Sequence, residues 1–346
     1  MMFLARRVQR LRGGAIALAA CAAVAGCGGG SDEGPQAVAD GGVSQQVASR
    51  HALPYKRVGI TAIVASPDGK AVAVAHSDGR VSLLDASGRA EVRQLTASGA
   101  RVAAGLVFSA DSHYLVSVAR DSSAQVFDVE SGSSRMTLHG HENPLRAVSA
   151  SADSSLVATG GEETRVMLWD GGTGQLKRVL SGPTDFVNSV SVSRDGQWVA
   201  SGDASARVLV WNAVTGKLVN SLRGHSDEVN AVAFSPDSRA LASAGEDGKV
   251  IVWQMTGGQG SAVLAGSGAA VLSLAFSGDG QVLAAGSADG KVRLFDVASR
   301  KVLSESAASA GAVNALAFGT RDRSELMFGD GRSGVLSVAV SRLTAQ

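Results

Sequence analysis

The chain has 346 residues, a formal net charge of +1, 43 glycines and only two cysteines. Cys21 and Cys27 both lie near the N-terminus, so the rest of the chain can hold neither a disulfide nor a cysteine-based metal site. Residues 1–26 contain four arginines and no other charged residue, and without them the net charge falls to −3. This balance lacks the basic surface of nucleic-acid-binding proteins, so we expect no nucleic acid as a partner.

Residues 1–26 are typical of an export signal. Arginines at positions 6, 7, 10 and 12 precede the apolar run Ala15–Gly26, which is too short to span a bilayer. The run ends in VAGC at 24–27, which resembles the box of bacterial lipoproteins, in which the cysteine is acylated and becomes the new N-terminus. We therefore predict a lipoprotein signal peptide, lipidation of Cys27 and a location in the bacterial envelope, with the membrane contacted only through this lipid.

Two other interpretations of the leader stay open. The sequence LAAC at 18–21 also matches the box, although Cys21 would leave an apolar segment of only about eight residues. An ordinary secretory signal with incidental cysteines is the second. In either case residues 27–45, which are rich in glycine and aperiodic, are predicted to form a flexible tether that reaches roughly 20–25 Å.

From about residue 46 onward the chain repeats itself every 42 residues. In the clearest unit, three alternating apolar runs, Val229–Phe234, Ala240–Ala244 and Lys249–Trp253, are separated by Pro, Asp and Gly. Such runs predict consecutive antiparallel strands joined by tight turns. Seven units of this period, with four short strands each, indicate a propeller. The predicted units are about 58–97, 102–138, 145–180, 187–222, 229–264, 271–305 and 313–340.

These units resemble the WD40 repeat, on the strength of Gly224-His225, Ser235-Pro236-Asp237 and Val250–Trp253. The resemblance covers residues 46–346 and implies an all-β, seven-bladed WD40-type β-propeller with four-stranded antiparallel blades. The last repeat ends soon after Val335–Val340. In WD40 propellers the N-terminal segment often supplies the missing outer strand, so we predict that Gln46–Leu53 closes the ring and protects its edges. The alternative is that residues 341–346 complete the last blade.

The resemblance also implies a buried hydrogen-bonded tetrad within a blade, which holds its shape if every member is satisfied. The residues that match are His225, Ser243, Asp247 and Trp253 in one repeat, and His141, Thr159, Glu163 and Trp169 in another. A catalytic role for a His, Ser and Asp set is disfavoured, because these residues recur at positions that the repeat determines.

Two further motifs carry little weight. GDGRSG at 329–334 matches the dinucleotide pattern but lies between predicted strands and opens no helix. His139 and His141 are close in sequence but have no evident third ligand for a metal. We therefore predict no cofactor and no metal site.

The residues that open the innermost strands are not dictated by the repeat. In WD40 proteins this end borders the central channel and the face most often used for binding. Here an arginine and several amides could engage backbone or carboxylate groups of a peptide, and an aromatic could supply an apolar anchor. The predicted partner-binding residues are Arg146, Phe186, Asn188, Glu228, Asn230 and Asn314. An ordinary solvated rim with one incidental Phe is the alternative.

We therefore expect a membrane-tethered scaffold that binds protein or peptide partners, and not an enzyme. One alternative is a lactonase- or quinoprotein-like propeller enzyme with a channel active site. It is disfavoured because the predicted channel positions carry Asn, Arg, Thr and apolar residues instead of clustered carboxylates. Another is an accessory lipoprotein of an envelope assembly complex, which differs from the scaffold only in its partner.

Overall fold

The structure is a computed structural model that describes residues 49–50, 59–88, 90–95, 102–255, 261–266, 268–307, 309, 311–319, 325–330 and 334–339. The leader, both cysteines and the predicted tether lie outside these residues. The regular elements within the described ranges are all β-strands. Accordingly, no apolar helix of membrane-spanning length occurs in them.

Six of the described sheets are meanders of four consecutive antiparallel strands, which we call blades 1 to 6. Within each blade the innermost strand comes first in the chain and the outermost strand comes last. In chain order the strands are β1 (Ser49–Arg50); blade 1, β2–β5 (Ile60–Ala65, Ala71–His76, Val81–Asp85, Glu91–Leu95); blade 2, β6–β9 (Ala103–Phe108, Tyr114–Ala119, Ala124–Asp128, Ser134–Leu138); blade 3, β10–β13 (Leu145–Ala150, Leu156–Gly161, Arg165–Asp170, Leu176–Ser181); blade 4, β14–β17 (Val187–Val192, Trp198–Asp203, Arg207–Asn212, Leu218–Arg223); blade 5, β18–β21 (Val229–Phe234, Ala240–Gly245, Lys249–Gln254, Ser261–Gly266); blade 6, β22–β25 (Val271–Phe276, Val282–Ser287, Lys291–Asp296, Val302–Ala307); and β26–β28 (Val313–Phe318, Glu325–Asp330, Gly334–Ala339).

The remaining described sheet, which we call the composite sheet, is built differently. Its strand order is β1-β28-β27-β26, so its outer strand comes from the other end of the chain. Ser49 pairs with Ser337 and Arg50 with Leu336, which places β1 inside the predicted segment Gln46–Leu53. The rest of that segment and residues 341–346 lie outside the described residues.

The prediction of a seven-bladed propeller is therefore wrong. The described residues form six blades of four consecutive strands, and the composite sheet has three C-terminal strands with a two-residue strand added. The physical reason is that, among the described residues, the last repeat supplies strands only as far as β28. Its outer position is filled by a distant segment, which pairs with β28 at two residues.

The innermost strands form a closed ring, because β2, β6, β10, β14, β18, β22 and β26 each contact the next and β26 contacts β2. The blades are apolar on both faces, as the fully buried strand β11 shows. Such a meander can bury both faces only between two neighbours. The core accordingly lies between blades: Leu168 of blade 3 belongs to the same buried cluster as Val190 and Trp211 of blade 4.

The aspartate that recurs in the repeats closes the turn after the innermost strand. In blade 5 the Ser235 hydroxyl donates to Asp237 (2.6 Å) and accepts from the Ala240 amide (2.9 Å). Ser238 follows with a φ of 61°. The same Ser-x-Asp bond occurs in each of the other five blades. These turns define one end of the ring, and the candidate site lies at the opposite end.

Candidate partner-binding face

The face where the innermost strands begin is assembled by one repeated backbone contact. The carbonyl of the residue before the innermost strand accepts the amide of the first residue after the second strand. The pairs are Ala204 to Phe186 (2.9 Å) and Glu246 to Glu228 (2.8 Å), and Glu162 makes the same bond to Pro144 (2.8 Å). This contact brings together three positions of each blade: the residue before the innermost strand, the second residue of that strand, and the residue after the second strand, which we call the hairpin residue.

Arg146 contacts three other residues of the face. Its Nη2 donates to Glu162 Oε1 (2.9 Å) and its Nη1 donates to Asn188 Oδ1 (2.9 Å). The guanidinium carbon lies 5.0 Å from the centre of the Phe186 ring, within the range of a cation–π contact. The Phe186 side chain is 40% exposed. Blade 3 therefore fixes an aromatic ring of blade 4 in place while leaving much of that ring open to solvent.

The amides were predicted to contact a peptide, but the structure uses their donors inside the ring. Asn188 Nδ2 donates to the Val229 carbonyl (3.3 Å). Asn230 Nδ2 donates to the Val271 carbonyl (3.1 Å) and to Glu246 Oε1 (2.9 Å). In each case the first carbonyl of the next innermost strand is within reach. These two amides therefore join neighbouring blades, and their amide donors are committed to the fold.

The predicted residues do not form one cluster. Glu228 joins Arg146, Phe186 and Asn188, because Asn188 also donates to it. Asn314 is the equivalent residue on β26, and β22 separates that strand from β18. Asn314 is thus not brought next to Asn230.

The charges of the face are unevenly placed. Burial raises the pKa of Glu228, and the nearby Glu246 and Asp227 raise it further, against the Asn188 hydrogen bond and Arg146. Burial lowers the pKa of Arg120, as does Arg146, whereas Glu162 acts in the opposite direction. The two arginines therefore lie at blades 2 and 3 together with Glu162, whereas the carboxylates of Glu228, Glu246 and Asp227 lie near one another at blade 5.

The predicted tetrad of blade 5 is brought together by the structure. His225 Nδ1 bonds Asp247 Oδ1 (2.9 Å) and His225 Nε2 bonds Ser243 Oγ (2.8 Å). Trp253 Nε1 donates to the same Ser243 oxygen (2.8 Å). Burial lowers the pKa of His225 even though Asp247 opposes the shift, so the imidazole is neutral at pH 7. One Asp247 oxygen also accepts the Ser226 amide (3.0 Å), which ties the loop to the blade.

Blade 3 repeats this arrangement with a longer acid. His141 bonds Glu163 through Nδ1 and Thr159 Oγ1 through Nε2 (2.6 Å), and Trp169 Nε1 donates to Thr159 (2.7 Å). Thr159 is fully buried and the His141 side chain is 0% exposed. Both histidines are therefore structural residues between strands, not part of the exposed face.

Other blades contain buried polar pairs that the sequence analysis missed. In blade 1, His76 Nε2 bonds Ser82 Oγ (3.2 Å), and in blade 6, Arg293 Nη1 donates to Ser287 (3.0 Å). In blade 4 the buried Asp203 receives Arg207 Nη2 (3.3 Å). A signal did exist: the last residue of the second strand is polar in these three blades, whereas it is glycine in blades 3 and 5.

The two remaining sequence motifs do not form a cofactor or metal site in the described residues. Gly329 and Asp330 end β27 and Gly334 begins β28, with Asp330 paired to Gly334, so this pattern is a hairpin of the composite sheet. His139 is exposed. Within the described ranges, no group of three or more His, Cys, Asp or Glu residues is placed to hold a metal ion.

Comparison with known proteins agrees with this architecture. The family model "WD domain, G-beta repeat" matches residues 132–170, 174–212 and 216–254. A second model, "Anaphase-promoting complex subunit 4 WD40 domain", matches residues 251–321. Together the two WD40 models cover more than half of the chain. No curated protein matches it.

Proposed function

Because the chain belongs to the WD40-repeat proteins, we propose that it is a scaffold that binds a protein or peptide partner on the face where the innermost strands begin. WD40-repeat proteins are typically scaffolds without catalytic activity. A closed ring of blades is a rigid support for loops and strand ends that differ from blade to blade.

The observation that carries this proposal is the exposed ring of Phe186 beneath the guanidinium of Arg146. Of the large apolar side chains that are exposed in the described residues, Phe186 is the aromatic one. The others lie on outermost strands or on the turns before them: Val92, Leu176, Val179, Val214, Leu218, Val219, Val263 and Val302. Aromatic and arginine side chains dominate binding hot spots, and a ring already held in place loses less entropy on binding.

Catalysis gains no support from the buried histidines. Ser243 is 0% exposed and its oxygen is shared by His225 and Trp253. A substrate would have to enter between packed strands to reach it. We therefore propose a binding function without a catalytic residue.

We further propose that the chain is anchored in the bacterial envelope by a lipid on Cys27. The support is the VAGC sequence at 24–27, which follows a charged and then apolar leader. Labelling with a radioactive or clickable fatty acid should mark the wild type and Cys21→Ala but not Cys27→Ala. The reverse pattern would move the anchor to Cys21, and labelling of neither cysteine would favour an ordinary secretory signal.

The binding proposal is tested with the full chain in intact cells of the source organism. Crosslinking followed by mass spectrometry identifies the partner, and its capture is then compared between wild type, Phe186→Ala and the control Val214→Ala. Val214 is 69% exposed on an outer turn of the same blade. We expect Phe186→Ala to reduce capture at least tenfold, a loss of about 1.4 kcal/mol, and Val214→Ala to leave it unchanged.

Val214→Ala removes exposed apolar atoms and should leave thermal unfolding at the wild-type value. Phe186→Ala also removes the contact with Arg146, and it should remain folded at the temperature of the capture experiment. Undiminished capture by Phe186→Ala, or an equal loss in both variants, would contradict the placement of the partner on this face.

A further inference from the structure

We propose that Arg120 and Arg146 together bind one carboxylate of the docked partner, at the junction of blades 2 and 3 beside the Phe186 ring. This inference rests on the proposed binding function and names the chemical group that the face recognises. It also assigns a role to Arg120, which the repeat pattern alone did not single out.

Arg120 lacks the hydrogen-bond partner that the equivalent residues of blades 3 and 5 have. In blades 3 and 5 the hairpin residue accepts a hydrogen bond from the second residue of the innermost strand, as Glu162 does from Arg146 and Glu246 does from Asn230. Arg120 is the hairpin residue of blade 2, since its amide donates to the Val102 carbonyl (3.3 Å). The strand residue that would meet it is Ala104, which has no polar group. Its guanidinium accordingly makes no hydrogen bond or ion pair with a described residue.

Arg146 brings a second, incompletely neutralised cation to the same place. Its side chain is 15% exposed, and its Nε is buried without an acceptor among the described residues. Glu162 and Asn188 accept from the two terminal nitrogens only. Arg146 lies on β10, which packs against β7, and Arg120 directly follows β7, so the two arginines lie at one junction between blades. Consistent with this placement, Arg146 and Glu162 both act on the pKa of Arg120.

The charge of this trio selects the ligand. Two guanidinium groups and Glu162 leave a single positive charge beside Arg120, while Glu228, which also interacts with Arg146, lies on the side toward blade 5. A partner carboxylate would balance the positive charge beside Arg120. A phosphate group carries about −1.5 to −2 at neutral pH and would overcompensate it. A carboxylate also matches the planar fork of a guanidinium, which donates two parallel hydrogen bonds to it.

The rest of the face gives the bound segment a direction. Glu228, Glu246 and Asp227 lie on the side away from Arg120 and disfavour a second carboxylate there. Phe186 lies between the two ends, against Arg146. The site therefore fits a segment whose carboxylate is next to an apolar or aromatic side chain, with the acid toward blade 2.

The test uses the full chain and three small probes: N-acetylphenylalanine, its uncharged amide, and N-acetyl-aspartyl-phenylalaninamide. Binding is measured by calorimetry or ligand-detected NMR. We expect the acid to bind with a dissociation constant on the order of 1 mM and the amide at least tenfold more weakly. The aspartyl probe distinguishes a side-chain carboxylate from a C-terminal one, and binding of either acid supports the site.

Arg120→Gln should weaken acid binding at least tenfold, and Arg120→Lys, which keeps the charge but loses the fork, should have an intermediate effect. The control Arg239→Gln removes an exposed arginine from the turns at the opposite end of the ring and should change nothing. Unaltered thermal unfolding of all three variants excludes misfolding as the cause.

Equal binding of acid and amide, undiminished binding by Arg120→Gln, or tighter binding of inorganic phosphate than of the acid would overturn the proposal. These outcomes are separate from the test of the face itself. Loss of the cellular partner in Phe186→Ala with no effect of Arg120→Gln on acid binding would leave the face standing without its carboxylate site. The opposite pair of results would leave an anion site that does not serve this partner.

Discussion

Blades 3 and 5 differ from blades 1, 4 and 6 in which residue supplies a buried polar group at one position. That position is the last residue of the second strand, which lies opposite the first residue of the innermost strand and which we call the corner position. In blades 3 and 5 the corner is Gly161 or Gly245, and a histidine from the loop, His141 or His225, supplies the buried polar group. In blades 1, 4 and 6 the corner itself is polar: His76, Asp203 or Ser287.

The two groups of blades satisfy the buried polar group in different ways. A Cβ on Gly245 would lie 2.3 Å from the Glu228 carbonyl oxygen and 3.4 Å from His225 Nδ1, so in this blade the backbone and the loop have closed over the corner. In blade 4 the buried Asp203 instead turns toward Arg207, which also donates to the Gly182 carbonyl (3.0 Å). Each of these five blades has a hydrogen-bonded buried polar group that involves either the loop histidine or the corner residue itself.

Blade 2 has neither solution. Its corner is Ala119, no described histidine enters it, and the Oε1 of the buried Gln125 has no partner among the described residues. A small cavity at this place is lined in part by Ser117, Ala119 and Gln125. Blade 2 therefore serves as a natural control for the polar corners of the other five blades.

The largest loss of stability is expected from adding a side chain at the corner of blade 5, where the backbone leaves no space for one. Gly245→Ala places a methyl group against the backbone of Glu228, and a backbone atom cannot move aside as a flexible side chain does. We expect a loss of about 3 kcal/mol in the free energy of unfolding, at the upper end for overpacking. Ala119→Gly, the reverse exchange at the open corner of blade 2, should cost less than about 1 kcal/mol. Urea denaturation of both variants measures the difference, and similar losses would mean that the two corners are alike.

The next largest loss of stability is expected from removing the loop histidine of blade 5. His225→Ala leaves the buried Asp247 without its imidazole donor and Ser243 without one partner, and should cost about 1–3 kcal/mol. The equivalent position one repeat later, Ser267, lies outside the described residues, where we still predict that Ser267→Ala costs far less. Comparable losses for the two changes would show that His225 does not hold the blade together.

The hydroxyl of the tetrad can be tested by comparing two equivalent serines in neighbouring blades. Ser243 bonds His225 and Trp253, whereas Ser201, one repeat earlier, is buried with no partner among the described residues, and Trp211 Nε1 donates to the Ser181 carbonyl (3.3 Å) instead. Ser243→Ala should cost about 2 kcal/mol because it leaves two buried groups unsatisfied. Ser201→Ala should change stability by less than about 0.5 kcal/mol. A large loss in Ser201→Ala would reveal a partner for its hydroxyl.

The sequence predicted what recurs in every repeat and missed what differs from blade to blade. The strands of blade 5 followed from the spacing of the apolar runs, and the partners of His225 followed from the resemblance to the WD40 repeat. The pair Asp203 and Arg207 was missed because it replaces the tetrad through other positions of the blade. The role of Asn188 was also missed, because it depends on how closely the next innermost strand approaches, which no pattern within one repeat reveals.

Acid should destabilise blades 3 and 5, as well as blade 1, in which burial lowers the pKa of His76. Burial lowers the pKa of His141 and of His225, although Glu163 and Asp247 oppose the shifts. The unfolded chain then binds more protons than the native one once the pH drops below the ordinary value of 6.5, so stability falls with falling pH from there to the lowered pKa. The lowered pKa of Asp247 adds a further loss below its ordinary value of 3.8. Unfolding measured from about pH 7.5 to 5 should depend less on pH in the double variant His141→Gln with His225→Gln, and an unchanged slope would contradict the shifts.

The smallest expected effect is a gain in stability. It would come from giving blade 2 a polar corner residue like that of blade 6. Ser287 at the corner of blade 6 accepts from Arg293, and Ala119 and Gln125 occupy these two positions in blade 2. Ala119→Ser places a hydroxyl donor beside the unpartnered Gln125 oxygen, and one such bond should add about 0.5–1 kcal/mol. Gln125→Leu alone should also stabilise, because it removes the unsatisfied group and matches Leu209 in blade 4. In the double variant the serine has no acceptor, so its gain should disappear. If Ala119→Ser stabilises the Gln125→Leu variant as much as it stabilises the wild type, the serine acts by filling the cavity and not by completing the polar corner.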